Sequence, residues 1–301
     1  MSGCLGAGSP RPTHLMRCPE GRWDLAFARP HPSLHPGVLS YRGFWFAPGR
    51  ARRRLEIPCG LATLILGFGR SLRISPVRSA GQCRSVASLL SPPNTRPVLG
   101  EHVGGIQGVE VMLAPWAAFE LFGVALDDLP DAGGELADII GVRAEHLAEG
   151  LALASDWPAR FALVDQFLWR CRAAGRTASE RVIAAFQRLE RSRGRLEIHA
   201  LSDSLGCSRR QLERGCGEQL GVTPKRLSRV LRLQHAALLL ADGRRLGELA
   251  SGCGFYDQAH LTREFTAMTG RSPLRFLAGR EGLDHHIDRA AGRITSVLLD
   301  G

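Results

Sequence analysis

The side chains able to make or break bonds are few and poorly placed for it. Cys207, Cys216 and Cys253 lie in helix-patterned stretches with no base assigned to any of them, where a free cysteine usually acts as a small buried hydrophobe. The eight cysteines contain no CxxC pair and no framework of a short secreted chain, which fits a reduced, cytoplasmic setting. His31/His35 and His285/His286 lack third and fourth ligands at helpful spacing, so solvated histidines are expected rather than a metal site. GFGRSLRISPVRSAG sets glycines near cations but lacks the GxxxxGK[ST] of a phosphate loop. No enzyme activity, no cofactor and no metal are therefore expected.

What the chain holds in quantity is arginine. Its 301 residues carry 39 Lys+Arg against 29 Asp+Glu, a formal +10, and Lys225 is the single lysine. Such a balance favours polyanionic partners or anionic surfaces. Eighteen of the cations and ten of the carboxylates lie within 180–280, a net +8, so the positive field sits in one third of the chain. The arginine bias reads first as base composition, although the planar guanidinium fork does suit phosphates and guanine edges. The longest apolar run, around Leu61–Phe68, is far short of the roughly 18–20 residues needed to span a bilayer, and no membrane partner is expected.

Stepping along the chain, residues 1–36 carry Pro10, Arg11, Pro12, Pro30, Pro32 and Pro36 without the apolar core of a signal peptide, and are expected to form a loosely ordered leader. From Gly37 to about Pro115, VLSYRGFWFA, LATLILGF, SLRIS and GVEVMLAP are short apolar runs between Pro/Gly turns, which predicts a compact β domain, either a sandwich or a small barrel. From Trp116 the period becomes 3.6, so helices should follow the sheet. Residues 37–175 are thus a mixed α+β domain, in which Phe44, Trp45, Phe46, Phe68 and Trp116 could line a pocket but are more often core. Gly175, Arg176 and Thr177 make a linker, and Ser179 is placed to cap the next helix.

Beyond Gly194 the chain repeats itself with a period of 48 residues. LSDSLGCSRRQLERGCGEQLGVTP and LASGCGFYDQAHLTREFTAMTGRSP each read as a short helix ending at a glycine (Gly206, Gly254) and a second helix, capped by Ser208 or Asp257, that ends near Gly221 or Gly270. Helix, glycine turn, helix is the helix-turn-helix pattern. PKRLSRVLRLQHAALLLADG lies between the copies, with Leu227, Leu231, His235, Leu238 and Leu239 on one side and Arg226, Arg229 and Arg232 largely on the other. About eighteen helical residues span roughly 27 Å. Successive major grooves on one face of B-DNA lie about 34 Å apart, so one stiff helix could set the separation of two recognition helices.

Residues 179–278 resemble the DNA-binding domain of the AraC/XylS family of transcription regulators. The likeness is most specific in GFYDQAHLTREFTAMTGRSPLRF, through Gly254-Phe255, Leu261, Arg263, Phe265, Gly270, Ser272-Pro273 and Arg275. The first copy departs at Gly215 and Cys216, where the family has a helix former and a core phenylalanine. The resemblance implies an all-α domain over 178–278 with two helix-turn-helix units joined by a long helix, followed by a tail over 279–301. Residues from about Pro30 to Arg172 resemble an N-terminal domain found in some AraC-type regulators.

By that resemblance the first recognition helix presents Arg209, Arg210, Glu213 and Arg214 to DNA, and the second presents Gln258, His260, Thr262 and Arg263. The chemistry is suitable: arginine forks onto guanine O6/N7, glutamine bridges adenine N6/N7, glutamate accepts from cytosine N4, and threonine meets the thymine methyl. Arg226, Arg229, Arg244, Arg245, Arg271 and Arg275 are expected at phosphates or in solvent. Leu205, Leu212, Leu220, Leu249, Ala250, Leu261 and Phe265 are expected in the core. The function expected is a sequence-specific transcription regulator of double-stranded DNA that reads two successive major grooves. The alternative is a ligand- or partner-binding regulator with a degenerate first unit. A small-molecule effector at the N-terminal domain, a homodimer and RNA polymerase are the further partners that the resemblance allows.

Overall fold

The computed structural model describes residues 14–49, 51–77, 83–280 and 293–299. Alternation of side chains and short turns produces twelve antiparallel strands among them: β1 His14–Arg17, β2 Trp23–Ala28, β3 Val38–Phe46, β4 Arg52–Glu56, β5 Ala62–Gly67, β6 Leu72–Pro76, β7 Arg84–Val86, β8 Leu89–Ser91, β9 Val98–His102, β10 Ile106–Leu113, β11 Gly134–Glu135 and β12 Ser296–Leu298. They form two sheets, one ordered β1-β2-β3-β10-β5-β8-β11 and the other β12-β4-β9-β6-β7. The front of the chain is therefore sheet-rich and the back helical, as the change of period from 2 to 3.6 requires.

The leader expected over 1–36 ends earlier than its proline content suggested. Within it β1 and β2 add two strands to the larger sheet, with Leu25 opposite Phe44 and Ala28 opposite Tyr41. WDLAFA carries Leu25 on one face and the small Ala26 and Ala28 on the other, and all three are buried. Residues 1–13 lie outside the described residues. The expected tail likewise contributes a strand, β12, which pairs with β4 in the smaller sheet; residues 281–292, with His285 and His286, lie outside the described residues.

Helices cover one face of the larger sheet. These are α1 Pro115–Phe122, α2 Leu136–Ile140, α3 Arg143–Leu153 and α4 Trp157–Ala174, the last capped by Asp156, whose carboxylate accepts from the backbone N–H of Ala159 at 2.8 Å. α4 lays Trp157, Phe161, Val164 and Leu168 into the core. Tyr41 on β3 stacks on Phe161 at 5.7 Å and donates its hydroxyl to Asp165 at 2.8 Å. His31 donates its backbone N–H to the same carboxylate oxygen at 2.9 Å, so one buried carboxylate joins strand, helix and the turn before β3.

The rest is helical: α5 Glu180–Arg191, α6 Ile198–Ser204, α7 Arg209–Leu220, α8 Pro224–Ala241, α9 Leu246–Gly252, α10 Gln258–Thr269 and α11 Pro273–Ala278. The pair α6/α7 shares one core with the β domain, through Leu201, Leu212, Cys216, Leu220, Val222, Leu227 and Leu231. The pair α9/α10, with α11 and the far part of α8, builds a second core that also takes in Leu55, Ile57, Ile294 and Val297. The spacer α8 is buried on more sides than its pattern predicts, because Val230, Leu233, Gln234, Ala237 and Leu240 are covered as well as Leu227 and Leu231.

Replacing Tyr41 by phenylalanine removes a donor to a buried carboxylate without changing ring packing. We expect Tyr41→Phe to lower unfolding free energy by about 1–3 kcal/mol, read from guanidinium denaturation. A midpoint equal to that of the parent chain would show that the bond adds nothing to stability.

Candidate nucleic-acid interface

Each helix-turn-helix is set by a left-handed glycine. Gly206 has φ 60° and Gly254 φ 76°, conformations that a residue with a Cβ adopts only at a cost. The turn then hands over to a well-capped helix. Ser208 accepts from the backbone N–H of Gln211 at 3.3 Å while the Gln211 side chain accepts from the Ser208 N–H at 3.0 Å, a reciprocal capping box. Asp257 accepts from the His260 N–H at 2.6 Å. Both recognition helices run twelve residues and stop at left-handed glycines, Gly221 and Gly270. Ser179 occupies the cap position of α5 but its hydroxyl makes no capping bond; its backbone N–H goes to the Gln219 side chain at 2.8 Å instead.

The interface candidates fall on the outer faces of α7 and α10. Arg209, Arg210, Arg214, Gln258 and Arg263 are exposed, and Glu213, His260 and Thr262 are half-buried. Arg209 is paired with Glu213 one turn on, at 2.9 Å. His260 accepts from the Tyr256 N–H at 3.2 Å and lies edge-on to Phe255, so one of its ring nitrogens fastens the turn. The side chains of Arg210, Arg214 and Arg263 make no hydrogen bond or ion pair among the described residues. The expected core residues Leu212, Leu220, Leu249, Ala250, Leu261 and Phe265 are all buried, and Leu205 is partly so.

Two arginines of the spacer serve the protein itself. Arg229, expected at phosphate or in solvent, binds Glu264 of α10 through Nε at 2.9 Å. Arg232 donates to the Gly254 carbonyl at 2.8 Å and lies over the Phe255 ring. Amphipathic spacing placed both on an outer face, but α10 packs back over that face. Tyr256, just before the Asp257 cap and 92% exposed, is a side chain that the sequence reading passed over. Its place in the turn at the head of a recognition helix is the signal that could have found it.

The first unit is seated differently from the second. A Cβ at Gly215 would meet Val182 of α5 at 3.1 Å, and one at Gly217 would meet the Asp127 carboxylate at 3.0 Å. Cys216 between them is fully buried, and burial pushes its thiol up to about 12, so it is an inert packing group. The run of small residues where the sequence departs from the family pattern is the surface on which α7 docks.

Residues 201–279 match a family model described as a helix-turn-helix domain. They form a helix-turn-helix domain. Part of the chain is 29% identical to a probable AraC family transcriptional regulator from Rhodopseudomonas palustris, over 33% of this chain and 96% of that one, with a TM-score of 0.31. It is 24% identical to the C-terminal domain of AraT, a response regulator from Geobacillus stearothermophilus, over 34% and 88%, with a TM-score of 0.33. ToxT from Vibrio cholerae aligns over 77% of this chain and 94% of its own at 12% identity and a TM-score of 0.43. No curated protein matches the chain. The matched span begins within α6 and holds both recognition helices, which supports a DNA-binding transcription regulator.

The β domain in front of the helix-turn-helix domain has a cavity of about 160 Å³ between its two sheets. Phe44 and Phe46 line it, alternate residues of β3, whereas Trp45, Phe68 and Trp116 do not. Its polar lining includes an ion pair between Arg42 and Glu110 at 2.5 Å, together with Arg54, Glu56, Asn94, His102 and Thr295. Burial, reinforced by Arg52 and Arg54, pushes the His102 ring down to about 4, and its Nδ1 accepts from the Gly104 N–H at 3.1 Å. Among the described residues no group of three His, Cys, Asp or Glu could hold a metal, and no helix is long and apolar enough to cross a membrane.

Two measurements check these local assignments. Ser208→Ala should cost about 1 kcal/mol of stability by opening the capping box, with α7 the first helix to lose amide protection in hydrogen exchange. Because His102 stays neutral when folded and takes a proton when unfolded, stability should fall as pH drops from about 6.5 through about 4. In urea titrations across that window His102→Asn should flatten the slope; an unaltered slope would place the titration elsewhere.

Proposed function

We propose that this regulator binds specific promoter sites by setting α7 and α10 in successive major grooves of one face of the duplex. The observation that carries this reading is the repetition of one device: two twelve-residue helices, each capped and each introduced by a left-handed glycine, on either side of one eighteen-residue helix. Arg210, Arg214 and Arg263 are free to fork onto guanine edges, Gln258 to bridge an adenine and Thr262 to meet a thymine methyl. Arg209 and Glu213 read as a pair, in which the carboxylate orients the guanidinium toward the groove. The exposed Tyr256 hydroxyl can bond a backbone phosphate, which positions without reading sequence.

The cavity supports a small-molecule effector for the β domain. Voids of roughly 150 Å³ lined by apolar side chains accept a ring-sized molecule, and the size here is comparable. A degenerate first unit is the second reading, favoured by the glycines of α7. It differs in predicting protection of a single half-site.

Selection from random duplexes followed by footprinting tests the proposal. The full chain should protect two half-sites about one helical turn apart, with at least a 10³-fold preference over random duplex and an affinity that drops steeply with salt. Arg263→Ala should weaken binding about 5- to 150-fold and relax the base preference in the half-site that α10 reads. Equal affinity for random DNA would overturn sequence-specific reading.

A further inference from the structure

The sheet edge formed by β4 and β12 has two faces that belong to different parts of the molecule. On one face Arg54 and Glu56 line the cavity, with Thr295, the residue just before β12, beside them, and Ile57 reaches both the cavity and the core behind it. On the other, Leu55, Ile57, Ile294 and Val297 enter the core of the second helix-turn-helix unit. β12 comes after every helix of that unit in the chain, so the segment that covers the DNA-reading domain also walls the cavity in front of it.

Several bonds seat this strand. Ile57 donates its backbone N–H to Thr295 at 2.9 Å and Leu299 donates to Arg53 at 2.8 Å, bracketing the pairing of Ser296 with Glu56 and Val297 with Leu55. Gln234, fully enclosed in the middle of α8, donates from Nε2 to the carbonyls of Pro58 at 2.6 Å and Ile294 at 2.8 Å. One amide thus pins the spacer helix to the segment that follows β4 and to the one that precedes β12. Arg54 bonds Ser296, and Arg293 pairs with Glu190 of α5.

The seam is short and leaves polar atoms unmatched. Among the described residues β12 is three residues long, and Gln234 Oε1 and Thr295 Oγ1 are buried without a hydrogen-bond partner. Unpartnered buried acceptors carry a desolvation cost, and segments with few pairs open first. We propose that β12 is a strap whose seating orders the second helix-turn-helix unit for DNA reading, and that its other face exposes this ordering to whatever fills the cavity. The proposal rests on the two-groove reading given above.

The test is half-site-resolved footprinting of the full chain on the duplex that the parent protein selects. Val297→Asp puts an unpaired carboxylate into the seam and should weaken protection of the α10 half-site at least tenfold, with the α7 half-site unchanged within twofold. Gln234→Leu keeps the bulk, drops both carbonyl bonds and should weaken the same half-site three- to tenfold. Glu56 and Ser296 face each other between the bonded pairs, where Cα atoms lie about 4.5 Å apart, close enough for a disulfide. Oxidising Glu56→Cys/Ser296→Cys in the Gln234→Leu background should return the lost protection, and reduction should remove it again. Equal weakening of both half-sites by Gln234→Leu, no weakening beyond twofold, or no recovery on oxidation would each overturn the proposal, even if Val297→Asp fails to fold. A parent chain that protects only one half-site removes the two-groove reading instead, and the strap proposal with it.

Discussion

Three consecutive small residues, Gly215, Cys216 and Gly217, decide how near the first recognition helix can come to the rest of the chain. A side chain at either glycine would have to displace Val182 or the Asp127 carboxylate, and a ring at 216 would have to fit where a fully buried thiol now sits. The close approach lets Leu212, Cys216 and Leu220 join the same core as the helices over the large sheet. The inner face of α7 is therefore fixed to the β domain, while its first turns, with Arg209, Arg210 and Arg214, stay in solvent. Anchorage and exposure are divided along one helix by residue size.

The second unit is attached by other means. Arg229 to Glu264 and Arg232 to Gly254 tie α10 and its turn to the spacer, and the remaining core is closed by residues of β4 and β12 and their flanks. Two copies of one sequence repeat thus have unlike neighbours: a shared core for one, a short strand and a sheet edge for the other. The spacer passes through both settings, which explains why it is buried on more sides than a solvent-facing connector would be.

Local chemistry carried much of this architecture in plain sight. The glycine turns, the Ser208 and Asp257 caps and the eighteen-residue spacer follow from residues within a few positions of each other, and so could be read from the chain. The strands at 14–17 and 23–28 could not be placed as easily, because prolines and glycines flank them and they join the sheet only through the pairing of β2 with β3. β12 pairs with residues some 240 positions away, a relation that no periodicity records. Arg229 and Arg232 look solvated from spacing alone, since helical period fixes which residues share a face and says nothing of what lies against it. Phe44 and Phe46 were separable from Trp45 only once β3 had a register.

The departures in the first copy have a cause in packing. Two glycines inside α7 cost about 0.5–1 kcal/mol each relative to alanine. A reciprocal capping box returns about 1 kcal/mol, and burying Leu212, Cys216 and Leu220 at the junction adds more. Cap and packing together outweigh the glycines, and the helix keeps its full twelve residues and its left-handed stop at Gly221. Had the helix been free of the β domain, bulkier helix formers at 215–217 would have stabilised it at no cost. The small residues are what docking requires, so the price of binding the first recognition helix to the front of the molecule falls on its middle, away from the arginines at its tip.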